Sequence, residues 1–509
     1  MIEKWLKIGI LISSLVLPLT LAFFIYDTYQ TTASCLDALS HLYIAKNVID
    51  NGENSGIKNL GTVWLPLYHI SLIPFIFSNQ LYFTGFAGTI LGSILLFFTV
   101  FLILSFLPFP ENIFASLLFI LHPYLLIATV TPMTEILAIF LLLFTTYHLH
   151  QFLKDGRGMG RLGIGVVLGT LTRYEFYPIP FLILPFLILR KKGNWRKIIP
   201  TVLFLFSGIF FWLIWNQLLF ADPLFFFRHP VTKDTAGKLI YAQSLRKVVY
   251  FNLSILKELF GILPFFSLLG IAFLSIKRKF HLLLPLLLLI TPFFTHLFLA
   301  YQNISLGYAR FFLLSFAGIL LSSFLFCREI TNLALLKKFK VIRFLPLIIF
   351  ILYLPTLKEN YSVLKVGKNH YQHKINLPDL DVNYQKVNYY LKTFRNLFSN
   401  MDLTSAHLLI PFNQEFQTIS FALRLTPEQL FDPYDGEFIL KVMEKPWEFC
   451  DNLLLTDTLT PFCPIFQKYY QGKYFLFLFW QDEEYQKTIL NHFSLVKKEN
   501  GLRLYQKVR

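Results

Sequence analysis

The feature that most constrains this chain is a series of long apolar runs punctuated by short basic blocks. Several runs reach the roughly 20 residues that a helix needs to cross the hydrocarbon core of a bilayer. They are continuous rather than alternating, which points to spanning helices and away from a β-barrel. Composition agrees. Of 509 residues, 55% are hydrophobic and 58 are phenylalanine, with mean hydropathy +0.55, far above a soluble domain. The phenylalanines read as lipid-facing bulk, not as a cofactor box. The expected fold class is an all-α polytopic membrane protein of about 11 transmembrane helices, followed by a small C-terminal α/β extracytoplasmic domain.

The net charge of +16 would suit nucleic acid, but its distribution argues for a bilayer and against nucleic acid as a partner. The basic residues cluster between apolar runs: Lys4 and Lys7; Lys154, Arg157 and Arg161; Arg190, Lys191, Lys192, Arg196 and Lys197; Lys277, Arg278 and Lys279; Arg328, Lys337, Lys338, Lys340 and Arg343. Such blocks mark cytoplasmic loops. The N-terminal run resembles a signal sequence without a convincing cleavage site, so it reads as an uncleaved first span over 5–26. The apolar segment 65–77 has two prolines and a histidine and is short for a span. If it crossed, every later basic block would fall outside. Laid flat on the outer surface, it leaves all five inside, so a juxtamembrane helix is expected. Further spans are expected at 81–107, 111–130, 133–153, 162–175, 177–190, 196–219, 249–275, 280–300, 309–327 and 341–357. The segments on either side of Arg173 are short and read as tilted or broken, which is tolerated where backbone lines a protein cavity. The chain divides into a membrane domain over 1–357, with an outer first loop over 27–80, and an extracytoplasmic α/β domain over 358–509. The N-terminus is cytoplasmic and the membrane is the cell's inner membrane, crossed many times.

In the tail, 381–401 and 481–492 read as helices, HLLIPF and NLLLTD as short strands, and 493–508 as a hairpin turning at Asn500-Gly501. No repeat or low-complexity segment is evident. Cys450 and Cys463 are able to pair in an oxidising compartment or to stay as two thiols.

This topology gathers ionisable groups on the outer face: Asp37 in the first loop, Glu135 in TPMTE, Arg173 and Glu175 in LTRYEFYP, Asp222, Arg228 and His229 in FADPLFFFRHP, and Arg310 in GYARFFLL. Charges at membrane depth are costly, so they usually face a cavity and find partners. A polar cleft at the membrane surface is expected. Its chemistry suits transfer from a lipid-linked phosphate. A carboxylate, Asp37, deprotonates or orients an acceptor. Arginine forks at Arg173, Arg228 and Arg310 match phosphate oxygens. Glu135, Glu175 and Asp222 bind acceptor hydroxyls, orient the arginines or hold a metal. Trp64, at a tryptophan-proline corner, and His41 are counted with the substrate-binding residues. Blander readings exist for each: a helix N-cap for Asp37, a structural pair for Arg173 and Glu175, a turn for Asp222, an interfacial anchor for Arg310. His41, His69, His122 and His229 lack the spacing of a metal site.

The order of Asp37, HLYIAKNVIDNG, GTVWLPLYH, TPMTE, LTRYE, a DPL loop and GYARFFLL resembles the bacterial GT-C glycosyltransferases. These are the multi-spanning proteins similar to protein O-mannosyltransferases and lipid A aminoarabinose transferases. The resemblance covers roughly residues 1–330. It implies a polyprenyl-phosphate sugar donor, a lipid, glycan or protein acceptor, and transfer on the outer face. It also implies a catalytic acid in the first loop, which falls on Asp37, and a second acidic position on Glu135. Many members carry paired acids in the first loop, whereas Leu36 precedes Asp37 here. That counts against a metal-dependent mechanism, although a divalent metal stays open as a cofactor. Phe176 and Tyr177 stand where the family usually has glycine and an aromatic, which narrows the adjacent pocket. Two rivals remain: a transporter or flippase of lipid-linked sugars, and a non-catalytic envelope assembly subunit.

Overall fold

The computed structural model describes residues 1–33, 35–52, 55–60, 64–190, 195–228, 245–301, 309–333, 343–366, 384–399, 408–409, 416–431, 445–456, 483–499 and 502–508. The long apolar runs are helices, because a helix satisfies its own backbone where no water is present. α1 (Ile2–Tyr29) leads to the first loop. That loop holds α2 (Leu36–Ile49), α3 (Leu67–Ile76) and α4 (Asn79–Thr84). Gly85 then turns the chain at φ 81° into α5 (Phe86–Phe106). α6 (Glu111–Leu121) and α7 (Pro123–Val130) meet at His122-Pro123 with a bend of 62°. The proline has no N–H to continue the helix, which accounts for the break. α8 (Glu135–Asp155) returns, followed by the short α9 (Met159–Thr170) and α10 (Ile179–Arg190). Between these two lies a 3-10 turn, Tyr174–Phe176.

The second half of the membrane domain holds α11 (Trp195–Phe220), α12 (Phe225–Arg228), α13 (Leu245–Phe260), α14 (Leu263–Ile276), α15 (Phe280–Tyr301), α16 (Ala309–Phe312), α17 (Phe316–Thr331) and α18 (Leu345–Val366). The single span expected over 249–275 is a correction. It is two helices bent by 104° around Gly261. The bend leaves the Leu259 carbonyl without its helical partner. Asn360 Nδ2 and Tyr353 Oη each donate to it at 3.1 Å, and His122 Nε2 lies 3.1 Å away. Among the described residues, six helices are long and apolar enough to cross a membrane, or eight if each bent pair is one span. The eleven or so expected from hydropathy included α9 and α10, each of 12 residues. Outward-facing Phe23, Phe24, Leu203, Ile214 and Phe298 are exposed apolar groups, as a lipid-facing surface requires.

The tail is α/β, as expected. α19 (Tyr384–Leu397), α20 (Phe416–Leu423), α21 (Pro446–Phe449) and α22 (Glu483–His492) accompany five strands: β1 (Leu408–Leu409), β2 (Leu430–Phe431), β3 (Asn452–Thr456), β4 (Phe493–Glu499) and β5 (Leu502–Lys507). The sheet order is β2-β1-β3-β5-β4. β1 pairs parallel with β2 and β3, while β5 pairs antiparallel with β3 and β4. The hairpin is present, but its Asn500-Gly501 turn lies outside the described residues, as does Cys463 and with it any pairing to Cys450.

The tail touches the first loop. α20 packs on α2, and the buried Phe421 ring lies 4.8 Å from Tyr82 and 6.1 Å from Phe83.

Candidate active site

Local structure delivers Asp37 to the first turn of α2, where the helix dipole favours an acid. The preceding loop is pinned. Thr32 N–H donates to the Thr84 carbonyl at 2.9 Å, and the Thr89 hydroxyl lies 3.3 Å from the Thr32 hydroxyl. At the other end of α2 the buried Lys46 Nζ reaches Asn79 Oδ1 at 2.7 Å, the Ile76 carbonyl at 3.3 Å and Asp50 at 2.9 Å. α2 is therefore fixed against α3 and α4 at both ends.

Arg173 follows the last turn of α9 in extended backbone, with φ −150°. Gly169 makes this turn possible. A Cβ there would meet the Phe176 ring at 2.0 Å. Leu67 N–H donates to the Leu171 carbonyl at 3.0 Å, so the tryptophan-proline corner is tied to the same turn. Glu135 opens α8, and Arg310 lies in α16.

These separate elements bring five of the expected residues into one cluster. Arg310 Nη2 donates to Asp37 Oδ2. Arg310 Nε stands 3.7 Å from Glu135 Oε1, and Arg173 Nη1 donates to the same oxygen at 3.1 Å. Glu135 is thus wedged between two arginines. Arg173 also donates through Nη2 to Glu175 Oε1 at 2.7 Å, through Nε to both Glu175 oxygens at 3.2 Å, and through Nη1 to Thr134 Oγ1 at 2.9 Å. Burial is uneven. The side chains of Glu135, Glu175, Arg310 and Arg173 are 2%, 6%, 7% and 12% exposed, but Asp37 is 31% exposed. Asp37 is the member an incoming molecule meets first. Three buried or half-buried acids face two arginines, and removing either arginine leaves buried carboxylates uncompensated, at a typical cost of about 3–5 kcal/mol.

Two residues joined the cluster without being expected. His296 Nε2 lies 2.9 Å from Glu175 Oε1. Phe311 forms a plate: the His296 ring stacks on it at 4.9 Å and 7°, and the Arg173 and Arg310 guanidinium carbons lie 4.9 and 5.4 Å from its centroid. The sequence signal for His296 was a lone histidine inside an apolar span. Phe311 carried none, being one phenylalanine among many.

His41 lies one turn beyond Asp37 on α2, on the same face. Its Nδ1 is 3.0 Å from His69 Nε2, and the Trp64 and Tyr68 rings stand edge-on at 5.2 and 5.4 Å. Burial, reinforced by Arg310 and Arg173, lowers its pKa to about 3. His41 is therefore neutral at physiological pH, and one ring of the pair donates to the other.

Asp222 acts locally. Its Oδ1 accepts the Leu224 N–H at 3.0 Å and opens α12, the turn role weighed for it above. Phe226 of α12 stacks on Tyr174 at 5.1 Å, which ties this segment to the edge of the Arg173 turn. The Arg228 side chain and His229 lie outside the described residues. Among the described residues no three His, Cys, Asp or Glu side chains converge on a metal position. The clustered acids face arginines instead.

The fold is shared with solved structures of membrane proteins at 10–13% identity. The particular likenesses are to two proteins. ArnT from Cupriavidus metallidurans aligns over 97% of both chains in its apo state, at 10% identity and TM-score 0.55. Bound to undecaprenyl phosphate it aligns over 97% of this chain and 98% of its own, at 11% identity and TM-score 0.54. The apo oligosaccharyltransferase of Archaeoglobus fulgidus aligns over 90% of this chain and 70% of its own, at 13% identity and TM-score 0.50. No protein-family model and no curated protein sequence matches the chain.

Proposed function

We propose that this chain is a membrane glycosyltransferase that moves a sugar from a polyprenyl-phosphate donor to an acceptor on the outer face of the membrane. The observation that carries the reading is the Asp37–Arg310 pair, half-open in front of Arg173 and Glu135, in a fold shared with ArnT, which binds undecaprenyl phosphate. Asp37 takes the proton of an acceptor hydroxyl. The acceptor oxygen then bonds to the anomeric carbon, and the carbon–oxygen bond to phosphate breaks. The polyprenyl phosphate leaves with the electron pair, and its charge falls to Arg310 and Arg173. Glu135 orients both arginines. His41 and Trp64, beside Asp37, face the sugar. The donor approaches from the bilayer. The acceptor is a lipid, glycan or protein on the same face. The basic blocks support an inner-membrane chain with a cytoplasmic N-terminus.

In this mechanism Arg310 exchanges partners. Without donor it holds Asp37. A phosphate, with more charge and more acceptor oxygens, draws the guanidinium away and frees the carboxylate. Base and donor thus become competent together.

The test is binding of undecaprenyl phosphate to purified protein. Arg310→Ala is expected to weaken it by about tenfold or more, from the loss of a charge-assisted hydrogen bond. Asp37→Asn is expected to bind at least as tightly as wild type, because it releases Arg310. Weaker binding by Asp37→Asn would contradict the exchange.

A further inference from the structure

Resting on the reaction proposed above, we infer that His296 is a positioning residue that fixes Arg173, through Glu175, as the stationary half of the phosphate site. The inference starts from the donors of Arg173. A guanidinium has five N–H groups. Nε and one Nη2 hydrogen are directed at Glu175, and Nη1 serves Thr134 Oγ1 and Glu135 Oε1. That engages four and leaves one Nη2 hydrogen for a ligand. Arg310 differs in its contacts: its Nη2 donates to the half-open Asp37, its Nη1 lies 3.7 Å from the Met133 sulfur and its Nε 3.7 Å from Glu135 Oε1. One arginine is built to move and the other to stay.

Arg173 stays only if Glu175 does. Glu175 is two residues along the same turn, and its carboxylate would otherwise rotate with it. His296, on α15, anchors it from a different helix: Nε2 is 2.9 Å from the Oε1 that accepts Arg173 Nη2 at 2.7 Å. With Nε2 protonated, the imidazole donates to that oxygen. The His296 ring is itself held flat on Phe311, the same ring that carries both guanidiniums. The side chain is 6% exposed, and its Nδ1 has no hydrogen-bond partner among the described residues. Only one ring nitrogen is engaged, and it is the one aimed at Glu175. A histidine kept for packing alone would be replaceable by phenylalanine in such an aromatic stack.

The test compares His296→Phe, which keeps the ring on Phe311 and removes the N–H, with His296→Gln, which restores a donor. Turnover of a polyprenyl-phosphate sugar and binding of undecaprenyl phosphate are both measured. His296→Phe is expected to raise the donor KM about tenfold, the usual worth of a hydrogen bond to a charged group, with a smaller fall in kcat. His296→Gln is expected to recover most of the loss. In a Glu175→Gln background the His296→Phe effect is expected to shrink, because the partner is already neutral. Unchanged donor KM and binding in His296→Phe, with wild type active, would overturn the positioning role alone. So would equal losses in both variants tracking a fall in melting temperature. Wild type that neither turns over nor binds the lipid phosphate would overturn the reaction and this role together.

Discussion

Asp37 and His41 lie one helical turn apart on α2 and meet different environments. Asp37 is half-open and paired with Arg310. His41 is buried against His69, Trp64 and Tyr68. The low value of about 3 for His41 has a consequence for stability. Between pH 6.5 and about 3 the unfolded chain carries a proton on this residue that the folded chain does not. Stability is therefore unaffected by His41 above pH 6.5 and falls as pH drops below it, by about 1.4 kcal/mol per unit. His41→Gln keeps a hydrogen-bonding group toward His69 and removes this titration. The variant is expected to lose less melting temperature than wild type between pH 7 and pH 5, and an identical loss would show that His41 does not titrate in this way. At this scale the sequence was informative where charge is scarce. Asp37, Glu135, Arg173, Glu175 and Arg310 stood out because ionisable groups in an apolar chain need partners, and they are found together. Asp222 stood out for the same reason and serves a turn. His296 and Phe311 were hidden, because a stacking contact between α15 and α16 has no local pattern.

The elements that carry these residues are held by close backbone approach. α5 crosses α7 at Gly92, where a Cβ would meet the Thr129 carbonyl oxygen at 2.1 Å. Backbone gives way less readily than a side chain, so Gly92→Ala is expected to destabilise the protein by about 1–3 kcal/mol. Gly9, in α1, has nothing within 4 Å of its Cβ position, and Gly9→Ala is expected to be neutral or slightly stabilising. Thermal melts of the two variants in one detergent check the contrast. Equal effects would mean that the α5–α7 crossing is not tight. Helix positions were legible from hydropathy, since apolar runs and helices coincide along most of the chain. Breaks were less so. Both 111–130 and 249–275 read as single spans, and neither the 62° bend at His122-Pro123 nor the 104° turn at Gly261 was expected from the sequence. What stabilises that turn, the convergence of Tyr353, Asn360 and His122 on the Leu259 carbonyl, comes from residues remote in sequence.

For the whole molecule, the C-terminal α/β domain rests on the first loop, through α20 against α2, the helix that holds Asp37, and through Phe421 against Tyr82 and Phe83 of α4. With the basic blocks taken as cytoplasmic, the proposed topology puts this domain and the active-site cluster on the outer face. A cysteine in place of exposed Lys445 is expected to react with a membrane-impermeant maleimide in intact cells. One in place of exposed Arg278 is expected to react only after permeabilisation. The reverse pattern would invert the topology. The α/β character of the tail was readable from its change in composition and its strand-like segments. Its docking on α2 was not, because both surfaces are as apolar as the chain around them. Asp37, as proposed, is the base for sugar transfer from a lipid phosphate. The most direct measurement is consumption of polyprenyl-phosphate sugars by purified wild type beside Asp37→Asn. Wild type is expected to turn over, and the variant to lose about 10²-fold or more with lipid-phosphate binding retained. Near-normal turnover by Asp37→Asn would contradict it.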